Sequence, residues 1–316
     1  PSEWRELSQG FVIPETFRPS TPTAQPGMPS QVLPADQFTV YVTGNDGHFS
    51  ENYEQFDTTY PHIFGVGRAE TPAEIDYDDL RQQLQLATNQ NRTAIFDIEH
   101  LPISVVDDGA EAVDRSMAVY QAVIDFARAE FPEMKIGFYG TFPNREYWTP
   151  IYYRRALQAA ANGEGGYWES NVQRFTDQYN AWQTSNEYLR PWAEQVDVIY
   201  PSLYTFGQNQ EEWQWYAEEN IKQASTFGKP VVPFIWNRYH QGFVQRKWEL
   251  LESDYWRMQL DLVREQSAGV VIWDFNGTRT NLPFNVVDDY NGDEAWYLET
   301  VDFLEDLFAN DDPTAS

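Results

Sequence analysis

Seven short apolar runs recur along this chain, and their spacing limits its fold more than any other feature. They are FTVYVTG (38–44), HIFGVG (62–67), AIFDIE (94–99), KIGFYG (135–140), VDVIYPSLY (196–204), PVVPFIW (230–236) and GVVIWDF (269–275). Each is rich in β-branched and aromatic residues and short enough for a strand. Between most of them lie segments with apolar residues at three- and four-residue spacing: 76–90, 114–131, 253–266 and 293–308. Strand and helix alternating in this way predict a parallel sheet covered by helices. About seven such units favour a TIM-type (β/α) barrel, distorted and seven-stranded, over a doubly wound sheet, and no G-x-G-x-x-G opens a helix. The barrel is expected over 37–309. Residues 1–36, with six prolines after the first residue, read as an N-terminal extension, and 310–316 as a frayed tail.

The third run ends in charge. Side chains alternate along a strand, so Asp97 and Glu99 are expected to face the barrel axis while Phe96 and Ile98 face the helices. Roughly 7 Å apart at the strand's C-terminal end, in a low dielectric, the two carboxyls should retain one proton between them. A carboxylic acid kept protonated near neutral pH can protonate a departing sugar oxygen. The competing reading is structural, with the acids paired to Arg68, Arg238 or the helix layer. The other strand ends bring Tyr139, Tyr204, Trp236, Arg238, Tyr239 and Trp273 toward the same mouth, where a core would more usually carry Leu, Ile and Val.

Composition narrows the partners. Forty-nine Asp and Glu against 21 Lys and Arg give a net charge of −28, which repels nucleic acid and anionic membranes. A solvated acidic surface of this kind suits a marine or saline habitat. Aromatics are 16% of the chain, with 12 Trp and 19 Tyr, and rings stack on the apolar faces of sugars. Cysteine is absent, which excludes thiol nucleophiles and disulfide or zinc–thiolate scaffolds. No apolar run approaches the roughly 18 residues of a membrane span, and the sequence opens at Pro1, as a trimmed secreted protein would. The expectation is a secreted, periplasmic or outer-surface monomer with no cofactor.

In order and wording, AIFDIEH, KIGFYGTFPN, VDVIYPSLY, KPVVPFIWNRYH and AGVVIWDFNG resemble the hyaluronidase family of glycoside hydrolases, over about Phe38 to Asn276. The resemblance implies a distorted seven-stranded barrel. It also implies that Glu99 is the catalytic acid, that Asp97 is its neighbouring carboxylate, and that the substrate's own N-acetyl group is the nucleophile. Asp97 and Tyr204, the tyrosine of P-S-L-Y, would orient that group, and Tyr139 and Trp273 match other cleft residues. The chain departs from the family in reading HLPISVVDDG after the strand, where the family is rich in Trp and Arg, and in lacking its disulfides.

Other constellations leave alternatives open. Asp46 and His48 in TGNDGHFS read either as a turn or as groups at the mouth. If the substrate lacks an N-acetyl group, as in a sulfated fucan or carrageenan, a retaining enzyme needs a protein nucleophile, and Asp97, Asp46 or Asp274 could serve. Asp46, His48, Asp97, Glu99 and His100 could instead gather a divalent metal, although their spacing matches no recognised motif. His100 reads first as a capping residue. Residues 141–168 combine Arg145, Arg154 and Arg155 with Tyr147, Trp148, Tyr152, Tyr153, Tyr167 and Trp168, which suits an acidic sugar chain; the bland reading is a helical lid whose arginines meet surface acids. EEWQWYAEEN (211–220) reads as a packing helix from which Trp213 or Trp215 could reach a distal sugar. The combined expectation is an endo-acting retaining glycoside hydrolase of an anionic polysaccharide, contacted by Tyr139, Trp236, Arg238, Tyr239, Trp273, Asp46, Asp274 and Arg154. A non-catalytic carbohydrate-binding barrel is the alternative from another class.

Overall fold

The computed structural model describes residues 38–43, 58–59, 62–88, 92–273 and 295–309, all within one compact unit, Val32–Ser316. The extension 1–36, the tail 310–316 and the expected site residues Asp46, His48 and Asp274 lie outside the described residues.

Six of the seven apolar runs are strands: β1 (Thr39–Thr43), β3 (His62–Phe64), β4 (Thr93–Phe96), β5 (Lys135–Phe138), β6 (Phe234–Trp236) and β7 (Gly269–Trp273). A two-residue strand, β2 (Thr58–Thr59), adds to them. All pair in parallel, in the orders β2-β1-β7-β6 and β3-β4-β5. The remaining run, 196–204, joins the two sheets through single parallel bridges, Tyr139 to Tyr200 on one side, Ile199 to Val231 and Ser202 to Phe234 on the other. Pro201, Pro230 and Pro233 explain why this seam is no continuous ladder. Proline has no N–H to donate, so these three only accept, from Phe234, Ile199 and Val271. The result is one parallel arc from β3 round to β2, and no pairing closes β2 onto β3 among the described residues.

Helices cover the outer face: α1 (Tyr77–Thr88), α2 (Val105–Asp108), α3 (Ala110–Glu130), α4 (Trp148–Asn162), α5 (Gly166–Ser170), α6 (Val172–Ala193), α7 (Gln210–Ser225), α8 (Ser253–Gln266) and α9 (Ala295–Ala309). α3 shows why the sequence folds so. It buries Val113, Met117, Tyr120, Ile124 and Ala127 on one stripe, the side that meets the sheet. α7 starts where Asn209 caps the Glu211 and Glu212 amides, with both acids in the positive first turn and Lys222 in the last.

Strand alternation sorts the core into two layers. Val40, Val42, Phe96, Phe138, Ile235, Val270 and Ile272 pack with the helices. Tyr41, Ile95, Tyr139, Tyr200, Tyr204, Val232, Phe234, Trp236 and Val271 form a separate interior cluster rich in rings. Gly137 marks how full that interior is, because a β-carbon there would meet the Val198 carbonyl oxygen and lie 2.5 and 2.6 Å from two carbons of the Tyr200 ring.

Candidate functional site

Strand β4 delivers the two carboxylates. Ile95 belongs to the interior cluster and Phe96 and Ile98 to the helix layer, so alternation carries Asp97 inward. The Asp97 amide donates to the Phe64 carbonyl at 2.7 Å, continuing the parallel pairing one step beyond the strand. Tyr120 of α3 then donates to the Ile98 carbonyl at 2.8 Å, and His100 Nε2 donates to the Ala69 carbonyl at 3.0 Å. The segment bearing Asp97 and Glu99 is therefore held on both sides.

The two acids have different surroundings. Glu99 is ion-paired with Arg145, and its side chain is 48% exposed. Asp97 is partly buried, and its Oδ1 is enclosed with no hydrogen-bond partner. Burial first, and then the charge of Glu99, raise the Asp97 pKa from 3.8 to about 6, against the opposing pull of Arg145. The sequence predicts one proton retained between two carboxyls, and the resemblance makes Glu99 the acid. In the structure Asp97 is the member whose pKa is raised, by burial and by its neighbour, while Glu99 is half exposed and paired with Arg145.

Aromatic residues wall the same space. The Tyr139 hydroxyl is 3.0 Å from Ser202 Oγ, and its ring lies 5.8 Å from Tyr204 and 4.7 Å edge-on to Phe234. Tyr204 packs on Trp236 at 5.4 Å, and Trp236 on Trp248 at 5.5 Å. Trp273 packs, partly buried, against this cluster. Desolvation raises the Tyr139 phenol to about 12 and Tyr204 well above its usual value, so both stay neutral hydrogen-bond donors. A pocket of about 110 Å³ opens between Glu99, Tyr139, Asn144 and Arg145.

Two residues that the strand pattern does not place at the mouth join this group. Arg145 comes from the loop after β5, where Gly140 turns the chain at φ 62°. His240 comes from the loop after β6, with its ring 6.0 Å from Tyr204 and 4.2 Å from Phe206. Its Nδ1 accepts from the Gly242 amide at 3.0 Å, which puts the proton of the neutral ring on Nε2. Burial and Arg145 lower its pKa to about 4, with Glu99 pulling the other way. Strand periodicity gives no signal for either residue, because inside and outside lose meaning once the strand ends.

Three residues expected to contact the sugar, Tyr239 and Arg238 at the mouth and Arg154 in the 141–168 segment, have protein partners. Tyr239 belongs to the helix layer, donates to Glu252 at 2.7 Å and lies under the Arg246 guanidinium at 4.4 Å. Arg238 is buried and donates to the Trp248 carbonyl at 2.9 Å, fastening the 239–250 loop. Arg154 is ion-paired to Glu218 and Glu219 of α7, as the lid reading of its segment expects. Trp213 is fully buried, with Nε1 donating to the Leu203 carbonyl, which is the packing role. Among the described residues no three His, Asp or Glu side chains gather as a metal ion would require, and no helix is long and apolar enough to cross a membrane.

No protein-family model matches the sequence, and no curated protein matches it in the sequence comparison. Solved structures do. Bee venom hyaluronidase in a monoclinic crystal form matches at a TM-score of 0.54 and 15% identity, over 85% of this chain and 97% of that one. Bee venom hyaluronidase in complex with a hyaluronic acid tetramer matches at 0.54 and 14%, over 85% and 96%. Across most of both chains, then, this protein shares the fold of a hyaluronidase, the architecture that its strand-end motifs resemble.

Proposed function

We propose that the chain is an endo-acting, retaining glycoside hydrolase of an acidic polysaccharide, and that Asp97 and Glu99 carry the reaction. The observation that carries this reading is the unequal pair itself: a partly buried carboxyl with its pKa raised to about 6, two residues from an exposed one, beside a cluster of Tyr and Trp. A structural ion pair would need no second, unpartnered acid beneath it. Because Glu99 is the exposed member, it is the one a glycosidic oxygen can touch. In the resting site it is ion-paired with Arg145. An acidic sugar that draws on the same guanidinium releases Glu99 from this ion pair, with Asp97 as the adjacent proton donor.

Protonated Glu99 then gives its proton to the leaving oxygen as the bond to the anomeric carbon breaks. On a substrate bearing an N-acetyl group, the acetamido oxygen closes on that carbon, oriented by Asp97 and the Tyr204 hydroxyl. On a substrate without one, the Asp97 carboxylate takes that place. Water, deprotonated by Glu99, displaces the intermediate from the face the leaving group left, so configuration is retained. Trp236 and Trp273 supply stacking faces.

The test is reducing-end release from hyaluronan, chondroitin, chitin, fucan and carrageenan by wild type and Glu99→Gln. The variant is expected to lose about 10²- to 10⁴-fold in kcat on whichever polymer wild type cleaves. Equal release by both proteins at matched folding overturns the role of Glu99, and binding without cleavage of any polymer supports the carbohydrate-binding alternative.

A further inference from the structure

A second aromatic and basic site stands outside the cleft. Helices α4, α5 and α6 line an open pocket of about 460 Å³ beside the start of α7. Trp148 and Tyr152, one helical turn apart, stack at 5.7 Å with 24° between their planes. Trp168 of α5 meets Tyr152 at 5.7 Å, and Tyr167 turns edge-on beside Trp168. Rings gathered only to pack a lid would be covered, as their neighbour Phe175 is, yet Trp148 is 47% exposed and Tyr167 57%.

The charge there opposes that of the whole molecule. Arg155 lies 5.1 Å over the Trp168 ring, with Glu212 as its ion-pair partner. Arg174 is exposed 5.7 Å from the Phe175 ring and makes no ion pair among the described residues. Flat rings with a guanidinium at their edge match a pyranose that carries a carboxylate or sulfate, with the C–H face on the ring and the anion on the arginine. The pocket is also tied to the cleft. Tyr147 packs on Trp148 at 4.7 Å and on Phe206 at 4.9 Å, Phe206 meets His240, and Arg145 two positions earlier holds Glu99.

From this geometry we infer that the α4–α6 pocket is an auxiliary glycan-binding site for an acidic polysaccharide, gripping the polymer away from the bond that is cleaved. This rests on the hydrolase reading for its purpose, but binding can be measured without hydrolysis. In a Glu99→Gln background, which leaves the pocket intact, Trp148→Ala with Arg174→Gln is compared with the parent by affinity electrophoresis in gels of hyaluronan, chondroitin sulfate or dextran. The parent is expected to be retarded by an acidic polymer and not by neutral dextran, and the added changes should weaken the retardation about 10-fold in apparent Kd. Unchanged retardation in a variant with wild-type circular dichroism overturns the site, as does a parent that no acidic polymer retards. Retardation lost in the variant while wild type cleaves nothing would keep the pocket and reject the hydrolase.

Discussion

Asp97 sits where an acid is costly. Its carboxyl is partly buried, one oxygen has no partner, and the nearest anion is Glu99. With a folded-state pKa near 6 against 3.8, the native protein binds more protons than the unfolded chain between those values, so stability falls as pH rises through that window and remains lower above it. Asp97→Asn is neutral throughout. It should therefore raise Tm at pH 8, by an amount corresponding to on the order of 1–2 kcal/mol, and give no such gain below pH 4. A Tm gain independent of pH would show that the titration of Asp97 is not its cause. A second prediction isolates Arg145, which lowers both Asp97 and His240. In Arg145→Gln the His240 ring should titrate higher, by about half to one unit, while remaining below 6.5 because burial is the larger cause. The ¹H–¹⁵N signals of the imidazole would report it, and an unmoved His240 would mean that Arg145 is not held over the cleft.

At the scale of elements, one of the tightest places is the seam where β5 meets the 196–204 segment. Gly137 faces inward there, directly against Val198 and Tyr200. Gly137→Ala should lower stability by about 3 kcal/mol or more, seen as a lower urea midpoint at unchanged m-value, and adding Tyr200→Ala should not restore it because the Val198 backbone remains in the way. Full recovery in the double variant would show that the ring alone set the limit. This seam also shows how far the chain could be read without coordinates. Period-two alternation gives the inward and outward faces of β4, with Ile95 in the interior cluster and Phe96 against the helices, because backbone pairing enforces it. The same arithmetic run past a strand end puts Tyr239 at the mouth and misses His240, since the chain has already bent away from the pleat. Helix α6 escapes an apolar-periodicity reading for another reason. Its buried stripe, Phe175, Tyr179, Trp182, Asn186, Leu189 and Ala193, keeps helical spacing but includes Asn186, whose Oδ1 accepts from the Asn144 amide at 2.6 Å. A buried polar residue with a tertiary partner looks like a break in a hydrophobic pattern until that partner is known.

For the whole molecule, a net charge of −28 sets a conflict between distance and contact. An acidic polymer approaching such a protein is repelled at long range, yet the cleft and the α4–α6 pocket present Arg145, Arg155 and Arg174 at short range. Salt acts on these two terms differently. The Debye length falls from about 30 Å at 0.01 M to about 8 Å at 0.15 M, which removes most of the global repulsion before it reaches a guanidinium in contact with a carboxylate. The value of kcat/KM on an acidic polysaccharide should therefore rise from 0.01 to about 0.15 M NaCl and decline toward 1 M as contact pairs are screened in turn. On an uncharged oligosaccharide the same titration should be nearly flat. A monotonic fall from the lowest salt would mean that local arginines dominate at every distance, as in a basic enzyme steering its substrate. Folding should gain from the same screening, because relief of self-repulsion at a net charge of −28 outweighs the small contribution of partly exposed ion pairs, so Tm should climb over the range in which kcat/KM turns over. Following both quantities through one salt series separates the two effects: a shared maximum would assign the activity curve to unfolding, and a rising Tm through the activity maximum would assign it to encounter and grip.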